Sequence, residues 1–240
     1  MTGTFYVVGV GPGDPELLTL KASRILKNCS SFIVPKSRAD GNSTALWIVE
    51  QSLSTTDKEI VEIHFPMQKV RMGEAPAPEV SAAWQKAVDA IIIRLKNGQD
   101  VAFPTLGDPA IYSTGFYTCQ TLLERAPDSK TVIVPGVSSI SACAAAANVP
   151  LCQGDDMLAV VPATFNNEKL RQVFNTFQTV VLMKLHRVMP RITALLQELD
   201  LGNKAVLIEK TAQNEERIIH DCLSRQDKLH YFSTMIVRTK

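Results

Sequence analysis

Four scarcities in this chain of 240 residues each close off a class of protein. It holds only five cysteines, Cys29, Cys119, Cys143, Cys152 and Cys222, with no CxxC pair among them. An odd set of widely spaced thiols supports neither a disulfide framework nor a zinc knuckle, and reads as small buried residues in a reducing compartment. No apolar run reaches the roughly 18 residues that would span a bilayer. After Met1 the chain passes straight into a strand-like run, without the basic and then apolar stretch of an export signal. An excess of charge is missing as well: 25 Lys and Arg face 24 Asp and Glu, for a formal net charge of +1. That balance supplies no field for gripping a polyphosphate backbone. The expected address is the cytoplasm, with neither membrane nor nucleic acid as a partner.

What remains is ample material for a core. Hydrophobic residues make up 45% and charged residues 20%, the balance of a folded globular chain. Five short apolar runs, each followed by turn residues and a helical pattern, fill the first 150 residues: Phe5 to Val10, Ser31 to Val34, Ile60 to Phe65, Val101 to Phe103 and Thr131 to Val134. Alternation of this kind predicts a parallel sheet covered on both faces. A helix is expected from Pro15 to Lys27, capped by Asp14, with Leu18, Ala22, Ile25 and Leu26 on its buried face. Trp84, Val88, Ile91 and Leu95 mark another, closed near Asn97-Gly98. The stretch from Gly73 to Pro78 reads as an exposed loop.

Past residue 152 the texture changes. Strand-like runs at Met157 to Pro162, Thr179 to Met183, Lys204 to Glu209, Arg217 to Asp221 and Tyr231 to Val237 come partly in succession, with helical patterns at Asn167 to Thr176 and Arg187 to Leu199. The short link between the last two runs suits antiparallel pairing with each other. The reading is therefore α/β throughout: a first domain over residues 1–152 with a five-stranded parallel sheet, and a second over 153–240 with a five-stranded mixed sheet.

Ligands of open parallel sheets bind beyond the carboxyl ends of the strands, and four loops expected there have unusual composition. They are Gly9-Val10-Gly11-Pro12-Gly13-Asp14, Val34-Pro35-Lys36-Ser37-Arg38, Pro104-Thr105-Leu106-Gly107-Asp108-Pro109 and Pro135-Gly136-Val137-Ser138-Ser139. The first is not a dinucleotide fingerprint: Asp14 stands where GxGxxG needs glycine, Pro12 removes an N–H, and no phosphate-loop lysine follows. Gly107 permits close backbone approach, Asp108 is an acceptor, and Ser138 and Ser139 are small donors. Together they suit a compact cationic or zwitterionic ligand. Asp108 also fits a plain turn-capping role before Pro109, Tyr112 a packing role, and His64 that of an ordinary half-buried histidine. His186, His220 and His230 lack ligand spacing, so no metal is assigned.

These residues carry a resemblance. VGVGPGDPELLTLKASRIL at Val8 to Leu26, PTLGDPAIYST at Pro104 to Thr114, VPGVSSISACAAAANVPL at Val134 to Leu151 and VVLMK at Val180 to Lys184 follow one another as in the tetrapyrrole methylases. Within that class, FIVPKSR at Phe32 to Arg38 and HFPM at His64 to Met67 most resemble the C20-methyltransferases of cobalamin biosynthesis. The resemblance implies two α/β domains, S-adenosylmethionine folded into the cleft between them, S-adenosylhomocysteine as product, and a homodimer. It implies a tetrapyrrole substrate, precorrin-2 or cobalt-factor II, with methylation of another corrin carbon as the alternative. It places Leu106, Gly107, Asp108, Pro109, Ser138, Ser139, Met183, Thr211 and Ala212 at the cofactor. Gly11, Pro12 and Gly13 then face the substrate, Lys36, Arg38 and Lys184 meet its carboxylates, with Arg71 and Arg187 as further basic candidates, and Asp108 and Tyr112 are the groups that would assist the chemistry.

Overall fold

The structure, a computed structural model, describes residues 3–37, 40–66, 68, 70, 74–223 and 228–240. Arg38, Met67, Arg71 and Gly73, all named above, lie outside the described residues. Packing divides the chain into two compact units, one ending at Ser138 and one running from Ser139 to Lys240. The change of sequence texture, by contrast, falls at residue 152.

The first unit is a five-stranded sheet of β1 (Thr4–Gly9), β2 (Ser31–Lys36), β3 (Glu59–His64), β4 (Val101–Thr105) and β5 (Lys130–Val134), in the order β3-β2-β4-β1-β5. All its pairings are parallel. Side chains alternate between its faces, as the pleat requires. Phe5, Val7, Ile33 and Phe103 pack with α3 (Pro78–Lys96) and α4 (Thr114–Arg125). Val8, Val10, Phe32, Val34 and Ala102 pack with α1 (Leu20–Asn28) and α2 (Thr44–Ser52). Burial of both faces explains why β1, β2 and β4 are nearly continuous apolar runs, whereas the edge strand β3 keeps Glu59, Glu62 and His64 exposed.

The helix expected from Pro15 to Lys27 is two elements. Asp14 accepts from Glu16 N–H and caps only a 3-10 turn over Pro15–Leu17. Leu18 is extended, and α1 starts afresh after Thr19, whose hydroxyl accepts from Ala22 N–H at 3.1 Å. Two good caps five residues apart compete for one start, and the second controls the helix that carries Ala22 and Leu26 into the core. The helix marked by Trp84 and Leu95 spans Pro78–Lys96, with Asn97 as C-cap and Gly98 at φ 77°.

The second unit contains α5 (Ser139–Ala146), β6 (Leu158–Pro162), α6 (Asn167–Thr176), β7 (Thr179–Met183), α7 (Met189–Glu198), β8 (Ala205–Glu209), β9 (Arg217–Ile219) and β10 (Ser233–Arg238). The sheet order is β6-β7-β10-β8-β9, with β6 and β7 parallel and the remaining pairs antiparallel. The expected pairing of the last two strands with each other is corrected here. β10 inserts between β7 and β8, and β9 pairs with β8 at the edge. Burial decides it: β10 is buried over Ser233 to Val237 and earns a central place, while β9 is three residues long and mostly exposed. Leu170, Phe174, Ile192, Leu195 and Leu196 of α6 and α7 cover one face through Val180, Leu182, Leu207, Met235 and Val237.

Candidate active site

Strand connections part company at one point in the first sheet. β1 and β2 lead to α1 and α2 on one face, whereas β3 and β4 lead to α3 and α4 on the other. β1 and β4 are direct neighbours. The segments that follow them therefore diverge, which makes the carboxyl edge at this point the place where an open α/β sheet presents backbone groups to a ligand.

Three loops meet there and are stitched by main chain. Val10 N–H donates to Thr105 O at 3.0 Å, Gly107 N–H to Gly11 O at 2.7 Å, and Gly11 N–H to Gly107 O at 3.3 Å. Gly11 and Gly107 both adopt positive φ, 81° and 71°, which glycine reaches without steric cost. The loop after β5 lies against the other two. A Cβ on Gly136 would stand 2.4 Å from Gly107 O, and one on Gly9 2.6 Å from Gly136 N. The glycines of this loop set are spacers that allow backbones to touch, which explains why the first loop has so many without being a phosphate cradle.

Asp108 completes the stitching. Its Oδ1 accepts from Ala110 N–H at 2.8 Å and its Oδ2 from Gly136 N–H at 2.9 Å. The turn-capping role is thus real, and the second oxygen ties the β4 loop to the β5 loop. Thr105 Oγ1 and Ser113 Oγ are 3.0 Å apart, and Ser113 accepts from Gly115 N–H to cap α4. Tyr112 holds φ 52° and is 50% exposed. Burial pushes its phenol above the usual tyrosine value, so it remains a neutral donor at physiological pH. It lines a groove of about 760 Å³ along α4 with Pro109, Phe116 and Leu123.

Of the residues expected to meet the substrate, Gly11, Pro12 and Gly13 are buried. Lys36 Nζ lies 3.1 Å from Glu62 Oε2, so part of its charge is already matched. His64 is exposed and pairs with Lys36 across β2 and β3. The β2–β4 ladder registers Ser31 and Phe32 with Val101 and Ala102. Farther along, Pro35 and Pro104 have no N–H to give.

In the second unit β7 and β8 both run antiparallel to β10, so their carboxyl ends share an edge. Lys184, Lys210 and Ala212 follow them at positive φ of 62°, 49° and 56°. Left-handed conformations at residues with a Cβ are costly and cluster where a loop's shape matters. Sequence reasoning missed the residue that holds this one. Glu216 Oε2 accepts from Thr211 Oγ1 at 3.1 Å and from Ala212 N–H at 2.7 Å. Burial dominates at the Cys143 thiol of α5, with the Thr211 and Thr234 side chains acting against it. The available signal was an acid four and five residues beyond the Thr-Ala pair.

The thiols allow a simple check of this packing. Burial pushes Cys29 up to about 12 and Cys143 up to about 11, and raises Cys119 and Cys222 as well. Only the thiolate reacts, and Cys152 alone of the five is exposed. Titration of the native protein with a disulfide reagent at neutral pH should modify Cys152 quickly and the other four only on denaturation. Fast modification of two or more would show that the packing around Thr211 or β1 is wrong.

The three crevice loops, residues 9–14, 104–109 and 135–139, contain no Lys or Arg but do contain Asp14 and Asp108. A lining of carbonyls, carboxylates and tight glycine turns fits a cationic sulfonium bearing an amino acid, and repels polyphosphate. The family model described as Tetrapyrrole (Corrin/Porphyrin) Methylases matches residues 4–225. The chain belongs to the tetrapyrrole methylase family. It is 34% identical over 241 residues to the cobalt-precorrin-2 C(20)-methyltransferase of Salmonella typhimurium, covering 99% of this chain and 97% of that one. It is 32% identical to a probable cobalt-precorrin-2 C(20)-methyltransferase of Methanocaldococcus jannaschii, over 94% and 89% of the two chains. Its fold matches that of a uroporphyrin-III C-methyl transferase from Thermus thermophilus complexed with S-adenyl homocysteine, at 21% identity, a TM-score of 0.68, and 98% and 92% coverage. Among the described residues of this tetrapyrrole methylase no helix is long and apolar enough to cross a membrane.

Proposed function

We propose that this tetrapyrrole methylase transfers a methyl group from S-adenosylmethionine to C20 of precorrin-2 or of its cobalt-containing counterpart, cobalt-factor II, in cobalamin biosynthesis. The observation that carries the reading is identity of 34% along practically the whole chain to an enzyme named for that reaction. The cation-free, acid-bearing loops at the β1–β4 crevice support it. S-adenosylmethionine, when bound, supplies an electrophilic methyl on a sulfonium, and the macrocycle supplies a carbon nucleophile.

The protein's task is then alignment. Holding carbon, methyl and sulfur in line can remove several kcal/mol of barrier or more. Leu106, Gly107, Asp108, Pro109 and Ser138 in the first unit, and Ser139, Met183, Thr211 and Ala212 in the second, are proposed to hold the cofactor. Gly11, Pro12, Gly13, Lys36 and Lys184 are proposed for the substrate. Asp108 spends both oxygens on Ala110 and Gly136, a role that favours orientation over proton transfer. The proton lost from carbon after methylation can pass to water or to a substrate carboxylate. Tyr112, a neutral donor, is proposed to act beside Asp108. A cytoplasmic homodimer belongs to the same reading.

Anaerobic turnover of metal-free and cobalt-loaded substrate with a ¹³C-methyl donor tests it. The expected result is one labelled methyl per macrocycle, located at C20 by NMR, with tight calorimetric binding of S-adenosylhomocysteine. Label at another carbon would replace C20, and no binding of S-adenosylhomocysteine would overturn the reading.

A further inference from the structure

At the shared edge of the second sheet, β7 runs out into Lys184 to Arg187 and β8 into Lys210, while Lys228 to Phe232 lead into the oppositely directed β10. These segments build a row of rings. The centroid of His186 lies 5.1 Å from Tyr231, Tyr231 lies 5.3 Å from Phe232, and Phe232 lies 5.5 Å from His230. Main chain keeps the row in place: His230 N–H donates to Glu209 Oε1 at 2.6 Å, Phe232 N–H to His230 Nδ1 at 3.1 Å, and Lys210 N–H to Phe232 O at 2.9 Å. Tyr231 nevertheless stays 44% exposed.

Positive charge gathers around these rings. Arg187 and Lys228 are exposed, and among the described residues no carboxylate pairs with either. Burial first, then the charges of Arg187, His230 and Lys228, hold His186 below the usual histidine value, while burial raises Tyr231 and the charge of Arg187 opposes it. The acids at the same edge are engaged. Glu209 is buried, accepts from His230 N–H and lies 3.5 Å from Arg217, while Glu215 pairs with Lys210. His186 Nδ1 is buried without a hydrogen-bond partner among the described residues.

Like charges grouped with no counter-ion among the described residues repel each other, and the arrangement becomes favourable when a multivalent anion settles among them. A rigid aromatic face beside them adds apolar contact at low entropic cost. We propose that Arg187 and Lys228 hold peripheral carboxylates of the tetrapyrrole, with the macrocycle's edge against Tyr231. This rests on the function proposed above, since a macrocycle with eight acetate and propionate arms is the ligand whose chemistry matches an aromatic side chain flanked by the cations Arg187 and Lys228. It adds His186, Lys228, His230 and Tyr231 to a substrate site for which the sequence had suggested only Lys184 and Arg187 on this edge.

Uroporphyrin III, a stable octacarboxylate, is the probe, titrated by fluorescence against protein saturated with S-adenosylhomocysteine. The wild type should bind it more tightly than the tetracarboxylate coproporphyrin III, with affinity that falls as salt rises. In the Arg187→Ala, Lys228→Ala double variant, affinity for uroporphyrin should drop at least about tenfold and the salt dependence should flatten. Tyr231→Ala should weaken both porphyrins alike. Calorimetric affinity for S-adenosylhomocysteine should stay at the wild-type value in every variant, which also shows that the fold is intact. Unchanged uroporphyrin affinity in the double variant, or loss of S-adenosylhomocysteine binding instead, would overturn the assignment. Wild-type protein that binds S-adenosylhomocysteine but neither porphyrin would overturn it while sparing the cofactor reading. Binding of neither ligand class would sink the methyltransferase reading itself.

Discussion

Asp108→Ala should lower methyl transfer roughly hundredfold, the scale of loss that follows when reacting groups are misplaced by about an ångström. The carboxylate joins two loops whose strands are not neighbours in the sheet: β4 and β5 flank β1, and Asp108 reaches from one to the other to accept Gly136 N–H while also accepting Ala110 N–H. Alanine leaves both donors without an acceptor, so the 104–109 and 135–139 loops lose their mutual reference although the sheet beneath them keeps its ladders. The unfolding midpoint should therefore move little, while S-adenosylhomocysteine affinity and turnover both fall. Asp108→Asn keeps one oxygen and turns an N–H donor toward a second N–H, so its rate should lie between wild type and alanine. Rates near wild type in Asp108→Ala would remove this residue from the site.

Gly136→Ala is the more damaging change for stability. The new methyl would sit 2.4 Å from Gly107 O and 2.8 Å from Gly9 C, both backbone atoms that cannot rotate aside. Separation of the three loops is the only relief, and overpacking of this kind costs about 1–3 kcal/mol. The same separation breaks the Asp108 bond to Gly136, so S-adenosylhomocysteine binding should disappear along with part of the stability. Gly154→Ala is the control. Nothing lies within 4 Å of its Cβ position, and only the φ of 58° resists the change, a penalty of about 1 kcal/mol. Urea unfolding of the two variants side by side checks the ranking. A midpoint for Gly136→Ala equal to that of Gly154→Ala would show that the loops are not in the contact described.

Local pattern made much of the fold legible. Short apolar runs flanked by turn residues located the five parallel strands, most clearly β1, β2 and β4, because burial on both faces removes polar positions from a central strand. The Asn97-Gly98 stop and the helix at Asn167–Thr176 were equally readable from caps and spacing. The start of α1 was not, since Asp14 and Thr19 are both sound caps and only packing against β1 and β2 chooses between them. The place of β10 was hidden for a related reason. A short link advertises a hairpin, yet the more apolar strand gains more by entering the middle of the sheet than by pairing beside a three-residue edge strand.

By itself the sequence determined the α/β class, two domains, a parallel sheet followed by a mixed one, and the four loops where chemistry belongs, because periodicity and turn chemistry are properties of neighbouring residues. Tertiary structure alone decided that Gly9, Gly107 and Gly136 serve as mutual spacers, that both oxygens of Asp108 are spent on backbone, and that Glu216 holds Thr211 and Ala212. It also decided that His186 and Tyr231 meet across 45 positions of chain, with Arg187 and Lys228 about them. The physical reason is one of range: a hydrogen bond or a ring contact depends on distance in space, and strand order brings together segments that no pattern along the chain connects.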